Sequence, residues 1–206
     1  MSGVGLRLHQ SPASPFARIV AVTLREAGLE GRVEMAAATG TALDPGSIPV
    51  ALNPLGKIPT LERAEGPALY DSRVICRYLD DLAGGRLYPE KPRLWETLTL
   101  EATAHGVAEA AVLMVYEERL RPEEARSEAW VEGQWAKVAR ALDALEARWM
   151  SHLAGPLDMG QIATGCALGY LDFRHGRRDW RAGRPALAAW EAKFAARPAM
   201  AATRPG

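Results

Sequence analysis

The stretch Asn53-Pro54-Leu55-Gly56-Lys57-Ile58-Pro59-Thr60-Leu61 restricts the fold more than any other part of the chain. Pro54 and Pro59 have no N–H to donate, so neither fits inside a helix or a central strand. The apolar residues after Pro59 predict a strand that begins at this point. From these residues alone, an ordinary trans-proline loop before a strand is the favoured interpretation. A cis turn at Ile58-Pro59 is the alternative, and it would leave the Ile58 backbone exposed to pair with an extended ligand.

Composition narrows the class of protein and of partner. The chain has 206 residues, 48% of them hydrophobic, which is typical of a soluble globular protein with one large or two modest domains. Lys+Arg and Asp+Glu both number 25, so zero net charge gives no reason to expect nucleic acid or an anionic membrane as partner. No apolar run approaches membrane-spanning length and no signal peptide begins the chain, so we expect a cytoplasmic location.

The cysteine and histidine positions do not predict a metal or redox centre. Cys76 and Cys166 lie within apolar helical patterns and form no CxxC motif, which indicates buried small hydrophobes. The four histidines lack metal-ligand spacing, so no metal site is expected. They are His9, His105, His152 and His175.

A basic cluster lies near the C-terminal end of the chain and is interleaved with Asp172 and Asp179. We interpret it as a solvated loop, and a site for phosphate or an acidic ligand is the alternative. Its members are Arg174, Arg177, Arg178, Arg181 and Arg184.

The first part of the chain alternates strand and helix patterns in the order β-α-β-α-β-β-α. Ser14 followed by Pro15 predicts an N-cap and first residue of a helix, and Asp71-Ser72 predicts a second helix start. Asp44 to Leu52 is expected to hold a short irregular helix. Strands are predicted at 6–10, 32–37, 60–63 and 67–70, the last two forming a hairpin around Glu65-Gly66.

The second part is helical, and all six tryptophans lie in it. Gly84 to Pro89 interrupts the preceding helix, so we expect a domain at 1–83, a linker at 84–90 and a helical domain at 91–206. Gln161 is a poor N-cap residue for the central helix, so Asp158 is expected to cap this helix. Helical patterns cover about 91–121, 135–149, 162–173 and 185–194, and small residues in the third suggest close approach by its neighbours.

Three motifs follow one another along the chain: Ser14-Pro15-Phe16-Ala17-Arg18, Asn53 to Leu61, and Tyr70-Asp71-Ser72 followed by Ile75 and Tyr78-Leu79. In this order they resemble the glutathione S-transferase superfamily, in particular bacterial members related to the omega, zeta and stringent-starvation-type groups. The resemblance covers nearly the whole chain. It implies an α/β plus all-α protein: a thioredoxin-like N-terminal domain, an all-helical C-terminal domain, and glutathione in the cleft between them.

The resemblance also implies a glutathione site. The N–H and C=O of Ile58, before cis Pro59, would pair with the cysteinyl part of the ligand. Asp71-Ser72 at a helix N-terminus would bind the γ-glutamyl carboxylate and ammonium groups. Lys57 would approach the glycyl carboxylate, although a solvated loop charge is equally expected there. Asn53 is expected to hold the turn. Phe16, beside the first helix start, is also expected at the ligand.

Thiol activation is expected to depend on a serine hydroxyl. Ser14 stands where omega-like members carry a catalytic cysteine, and a hydroxyl at a helix N-terminus can lower the pKa of a bound thiol. Ser11 is the rival, since it aligns with the serine of zeta-like members, and Ala13 stands where they carry a cysteine. We favour Ser14, while a purely structural role for both serines stays open.

The second-substrate pocket is expected on the first helix of the C-terminal domain, with His105, Val112 and Tyr116 as candidates at helical spacing. The leading hypothesis is a homodimeric transferase that adds glutathione to electrophilic apolar substrates. The alternatives are a glutathione-binding regulatory or interaction protein of the same fold, and a zeta-like glutathione-dependent isomerase, which Ala13 disfavours.

Overall fold

A computed structural model describes residues 5–205. The chain forms two compact units, one that ends at Pro89 and also includes the chain from Thr203 onward, and one that spans Glu90–Ala202. The first unit contains β1 (Leu6–Gln10), α1 (Pro15–Glu26), β2 (Val33–Ala37), β3 (Thr60–Glu62) and α2 (Ser72–Leu82). The second contains α3 (Arg93–Leu120), α4 (Glu128–Ala144), α5 (Met150–Leu153), α6 (Met159–His175), α7 (Pro185–Ala195) and α8 (Pro198–Ala202).

The first unit is built on a three-stranded sheet with strand order β2-β1-β3. β1 pairs with β2 in parallel and with β3 in antiparallel orientation, so Leu8 lies opposite both Met35 and Leu61. Leu8 and Leu61 are fully buried, and α1 packs against α2. The apolar/polar alternation of β1 thus gives the sheet its core face, as predicted.

Two predicted elements of this unit are absent in regular form. Residues 44–52 form turns and bends rather than a helix, because Pro45 and Pro49 donate no hydrogen bond and local side chains bind the backbone instead. Asp44 Oδ1 accepts from the Gly46 N–H at 2.9 Å, and Ser47 Oγ accepts from the Thr39 N–H at 3.0 Å. The order of regular elements is therefore β-α-β-β-α, not β-α-β-α-β-β-α.

The fourth strand, predicted at 67–70, is reduced to a single antiparallel bridge between Leu69 and Leu61. The Arg63 guanidinium donates to the Pro67 carbonyl at 2.8 and 3.1 Å and takes the place of a ladder bond. Pro67 itself has no N–H to donate, so the hairpin cannot lengthen.

Residues 84–90, expected as a linker, are held by the buried carboxylate of Asp80. Asp80 Oδ1 accepts from the backbone N–H groups of Arg86 and Leu87, both at 2.8 Å, and Oδ2 accepts from that of Tyr88 at 3.1 Å. Charge-assisted bonds of this kind order residues 86–88 within the first unit.

The second unit is organised around α3 and α6, which pack against each other along their length. Asp158 is the N-cap of α6, as predicted: its Oδ1 accepts from the Gln161 N–H at 3.2 Å. Its other oxygen accepts from Thr97 Oγ1 at 2.9 Å, Arg93 at 3.2 Å and His152 Nε2 at 2.7 Å. α4 begins earlier than its tryptophan pattern indicated, because Ser127 caps it.

α3 corrects one expectation from the sequence. It has 28 residues and a mean hydropathy of 1.3 in its most apolar window, so by length and composition alone it could cross a membrane. Within that window 56% is buried inside the structure, where α3 packs against α4 and α6. A core helix has the same composition, so this helix is weak evidence for a membrane span.

Candidate functional site

The N-terminus of α1 holds both candidate serines. Ser14 is the N-cap of α1, and its Oγ accepts a hydrogen bond from the Ala17 N–H at 3.3 Å. The Ser14 N–H donates to the Ser11 carbonyl at 3.0 Å, so the two serines belong to one turn of the backbone. Both serines and Phe16 are half-buried. Because capping uses one lone pair of a hydroxyl, the O–H of Ser14 can still be donated to a ligand.

The turn before β3 is held by Asn53, as the sequence suggested. Asn53 is 2% exposed, its Nδ2 donates to the Lys57 carbonyl at 2.9 Å and to Thr60 Oγ1 at 3.2 Å, and its Oδ1 accepts from the Leu55 N–H at 3.1 Å. The Ile58-Pro59 peptide bond is cis. The side chain of Asn53 thus takes the place of regular secondary structure in this turn.

Ile58 and Lys57 face outward from this turn. Ile58 is half-buried, Lys57 is exposed and Pro59 is buried. Among residues 5–205, none pairs with the backbone N–H or C=O of Ile58. A free N–H and a free C=O on one residue beside an edge strand can pair with the backbone of an extended peptide.

The helix start at α2 is also as predicted. Asp71 is the N-cap, with Oδ1 3.0 Å from the Arg73 N–H, and Ser72 is buried as the first helical residue. The Asp71 carboxylate also accepts from Arg73 Nη2 at 2.9 Å. Sequence reasoning missed Arg73, whose position two residues after an N-cap aspartate was the available signal.

The register of the sheet brings these segments to one end. His9, near the C-terminal end of β1, lies opposite Thr60, the first residue of β3. The turn that follows β1 and contains Ser11 and Ser14 therefore lies at the same end as the turn that precedes Thr60.

The chain also returns to this end before α2. Leu69 and Leu61 exchange two antiparallel hydrogen bonds of 2.8 and 2.9 Å, so residues 69–71 run opposite to β3. Asp71 therefore starts α2 at the end of the sheet where β3 starts. Two helix N-termini and an open backbone pair thus share one edge of the first unit, an arrangement suited to an extended ligand with a terminal carboxylate.

The three pocket candidates lie on α3 in the second unit. His105 is 8% exposed, and its Nδ1–H donates to the Glu101 carbonyl at 2.9 Å. Val112 and Tyr116 are half-buried and lie on the same helical face at spacings of seven and eleven residues. Their assignment to a second-substrate pocket stays a prediction.

Two residues of α6, Tyr170 and His175, have perturbed pKa values. Burial raises the pKa of the Tyr170 hydroxyl, while the nearby charge of Arg174 opposes that rise and Tyr116 adds to it. Burial lowers the pKa of His175, whose Nε2–H donates to the Ala111 carbonyl at 2.9 Å. His175 is therefore neutral near neutral pH and joins α6 to α3.

No metal site is evident in the part of the chain that the structure describes, since no three His, Cys, Asp or Glu side chains group together there. Both cysteines are buried.

A small mixed sheet with flanking helices, a polar site at one sheet end and a second, all-helical unit define a thioredoxin-like protein with a helical domain. Residues 13–82 match the family Glutathione S-transferase, N-terminal domain, and residues 128–193 match Glutathione S-transferase, C-terminal domain. The chain belongs to the glutathione S-transferase family.

Its similar structures include a glutathione transferase family member from Pseudomonas fluorescens Pf-5 with bound glutathione. That protein is 45% identical with a TM-score of 0.95, over 98% of this chain and all of that one. A glutathione transferase family member from Pseudomonas fluorescens Pf-5 with bound S-(propanoic acid)-glutathione is also 45% identical, with a TM-score of 0.91, over 98% of this chain and all of that one. The Uncharacterized GST-like protein YibF of Escherichia coli K12 is 30% identical over 97% of this chain and 98% of its own length.

Proposed function

We propose that this protein conjugates reduced glutathione to electrophilic apolar substrates through a thiolate stabilised by a serine hydroxyl. The observation that carries the proposal is the open backbone pair of Ile58, which lies between the two helix starts at one sheet end. The glutathione bound by the 45% identical relative supports the choice of ligand.

Each segment has a part of glutathione to bind. The N–H and C=O of Ile58, with Pro59 packed behind, pair with the cysteinyl backbone. The N-terminus of α2 at Asp71-Ser72 receives the γ-glutamyl carboxylate, and the negative charge of Asp71 attracts the ammonium. Lys57 approaches the glycyl carboxylate, and Phe16 packs beside the cysteinyl part.

The thiol proton of glutathione passes to water, and the Ser14 O–H donates to the resulting thiolate sulfur, since a hydrogen bond to the charged form lowers a thiol pKa. The thiolate sulfur then forms a bond to the electrophilic carbon. A leaving group departs with its bonding pair, or, in an activated alkene, the π pair moves to the adjacent carbon, which takes a proton from water. The S-(propanoic acid)-glutathione bound by the 45% identical relative has the form of such an adduct.

The proposal includes the remaining expectations: domains at 1–83 and 91–206 joined at 84–90, a homodimer, a cytoplasmic location, and a second-substrate pocket on α3 with His105, Val112 and Tyr116. A glutathione-binding protein without turnover is the alternative that the experiment below tests.

Calorimetric titration with reduced glutathione and turnover of a model aryl halide test the proposal. We expect Ser14→Ala to lower kcat/KM by about 100-fold, the cost of removing one donor to a developing charge. The pKa seen in the pH profile of kcat/KM should rise with it. Ser14→Thr, which keeps hydroxyl and cap, should stay close to the wild type.

Ser11→Ala is the matched control, with less than about a threefold loss expected. A larger loss in Ser11→Ala than in Ser14→Ala would assign activation to Ser11. Wild-type activity in both variants would contradict a serine mechanism. Glutathione binding without turnover would contradict the transferase activity and favour the alternative, a glutathione-binding protein. No binding of glutathione would refute the proposed function.

A further inference from the structure

The outer face of α3 carries few charges for a helix face that is open to solvent. Between residues 99 and 109 its exposed positions are Thr99, Ala102, Gly106 and Glu109, which form one stripe at helical spacing. Only Glu109 is charged, whereas a helix face that meets water usually carries several charged residues. A Cβ on Gly106 would meet no atom of the described chain within 4 Å, so packing within the chain does not require this glycine. The stripe is therefore suited to a surface that packs on it from outside.

A cleft of about 410 Å³ lies between α3 and α4, and Gly106 and Glu109 of the stripe help to line it. Apolar side chains of α3 form another part of its lining. Val107 and Ala110 are buried there, and Leu113 is half-buried. Both helices belong to the second unit, so this unit forms the cleft by itself.

Gln134 of α4 lines the same cleft and is 7% exposed. Its Oε1 accepts a hydrogen bond from Lys137 Nζ at 3.1 Å, and among residues 5–205 no atom accepts a hydrogen bond from its Nε2. Buried donors in native structures usually have partners. This side-chain amide therefore indicates an acceptor that enters the cleft from another molecule.

Lys137, which also lines the cleft, differs from other cations of the second unit. Three arginines of the basic cluster, Arg178, Arg181 and Arg184, are each paired with a carboxylate. In the described part of the chain, neither Lys137 nor Glu109 forms an ion pair. The cleft therefore presents a cation and a buried amide donor on α4, and an unpaired carboxylate on α3.

We propose that this cleft is an interface between two copies of the chain, in which Lys137 and Gln134 of each copy bind the Glu109 carboxylate of the other. Two copies related by a two-fold axis use the same surface, so the contact from Glu109 to Lys137 occurs twice. The carboxylate supplies the acceptor that the ammonium and the amide lack, and its hydrogen bonds are charge-assisted. This inference rests on the homodimer included in the proposed function and names the surface that forms it.

A small carboxylic acid bound in the cleft is the competing explanation, because it would also offer an acceptor to Lys137 and Gln134. It would leave Glu109 without a cation and place a second negative charge in the cleft that Glu109 lines. The two explanations predict different results. An interface between copies makes the dimer depend on both charges, and a small ligand does not.

The test reverses the two charges singly and together. Sedimentation equilibrium should show a dimer for the wild type. Lys137→Glu and Glu109→Lys should each raise the dissociation constant of the dimer by about 100-fold, because like charges then meet at two symmetric positions, at about tenfold each. The double variant has opposite charges again, with their sides exchanged, and should return to within about threefold of the wild type.

Lys193→Glu is the matched control, because Lys193 is an exposed cation of α7 that does not line the cleft. It should keep the wild-type dissociation constant. Lys137 and Glu109 are exposed, so every variant should keep the helical circular dichroism spectrum of the wild type.

A monomeric wild type would overturn the inference together with the homodimer. Single variants that dimerise as tightly as the wild type would overturn it in favour of a small ligand, and weakening that the double variant does not restore would refute the pairing of Glu109 with Lys137. Calorimetric titration of the same samples with glutathione tests the proposed function separately. A dimer that responds as expected but binds no glutathione would refute the transferase and leave the interface standing.

Discussion

Asn53 shows how much of the site depends on a single residue. One buried amide binds Lys57, Thr60 and Leu55, and so connects the start of the turn to the start of β3. The proline and glycine pattern around it predicted a turn, and an asparagine in such a stretch predicted a residue that holds it. The N–H and C=O of Ile58 were expected to be open, and no described residue pairs with either of them.

We predict that Asn53→Ala lowers the free energy of unfolding by about 2–3 kcal/mol, because buried backbone and hydroxyl groups lose their partners. Affinity for glutathione should also fall as the turn before Ile58 loosens. Denaturant unfolding and calorimetric titration measure the two effects.

The control for this variant is Leu43→Ala in the preceding loop. The Leu43 side chain is 75% exposed, so its truncation should lower the free energy of unfolding by less than about 0.5 kcal/mol. Equal stability of Asn53→Ala and the wild type would show that the turn holds without the amide.

At the scale of elements, α6 shows why a helix with small residues occupies the centre of the second unit. A Cβ on Gly165 would lie 2.5 Å from Phe194 Cδ1 and 2.7 Å from Cε1. Phe194 is buried and stacked on Trp190 at 4.7 Å, so its ring has no room to move away. The spacing of small residues predicted close approach, and the structure identifies α7 as the neighbour at Gly165.

We predict that Gly165→Ala lowers the free energy of unfolding by about 1–3 kcal/mol, because the added methyl group overpacks a rigid core. Thermal unfolding monitored by circular dichroism measures the change.

Gly133→Ala in α4 is the matched control, since a Cβ there meets no atom of the described chain within 4 Å. It should raise stability by about 0.5–1 kcal/mol through helix propensity. Stabilisation by both substitutions would refute the close-packing explanation.

Elements with a strong apolar periodicity were predictable from the sequence. Segments whose backbone is held by side-chain hydrogen bonds were not. The helices at α1, α2, α3, α6 and α7 follow apolar spacing and capping residues, which act locally. The helix expected at 44–52 and the strand expected at 67–70 fail because Pro45, Pro49 and Pro67 remove backbone donors while side chains supply the bonds.

At the scale of the whole molecule, His175 connects helix packing to pH. Its Nε2–H donates to the Ala111 carbonyl, and burial lowers its pKa below the ordinary value of about 6.5. As pH falls below about 6.5, the unfolded chain takes up a proton that the folded chain does not, so the folded state loses stability.

We therefore predict a melting temperature that falls between pH 7.5 and pH 5.5, with His175 contributing up to about 1.4 kcal/mol per pH unit. His175→Gln keeps an N–H donor without a titrating group, so it should show a smaller fall over the same range. Identical falls in the two proteins would assign the pH dependence to other groups.

The sequence alone determined the local parts of this protein: helix starts at Ser14 and Asp71, the cap at Asp158, and the turn around Asn53. These depend on residues within a few positions of each other, where propensity, capping and proline geometry decide the outcome. The tertiary structure decided what the local pattern leaves open. Register brought the two helix starts and the Ile58 backbone to one sheet end, and ion pairing neutralised three arginines of the basic cluster. Those outcomes depend on contacts between residues far apart in the chain, which no local pattern encodes.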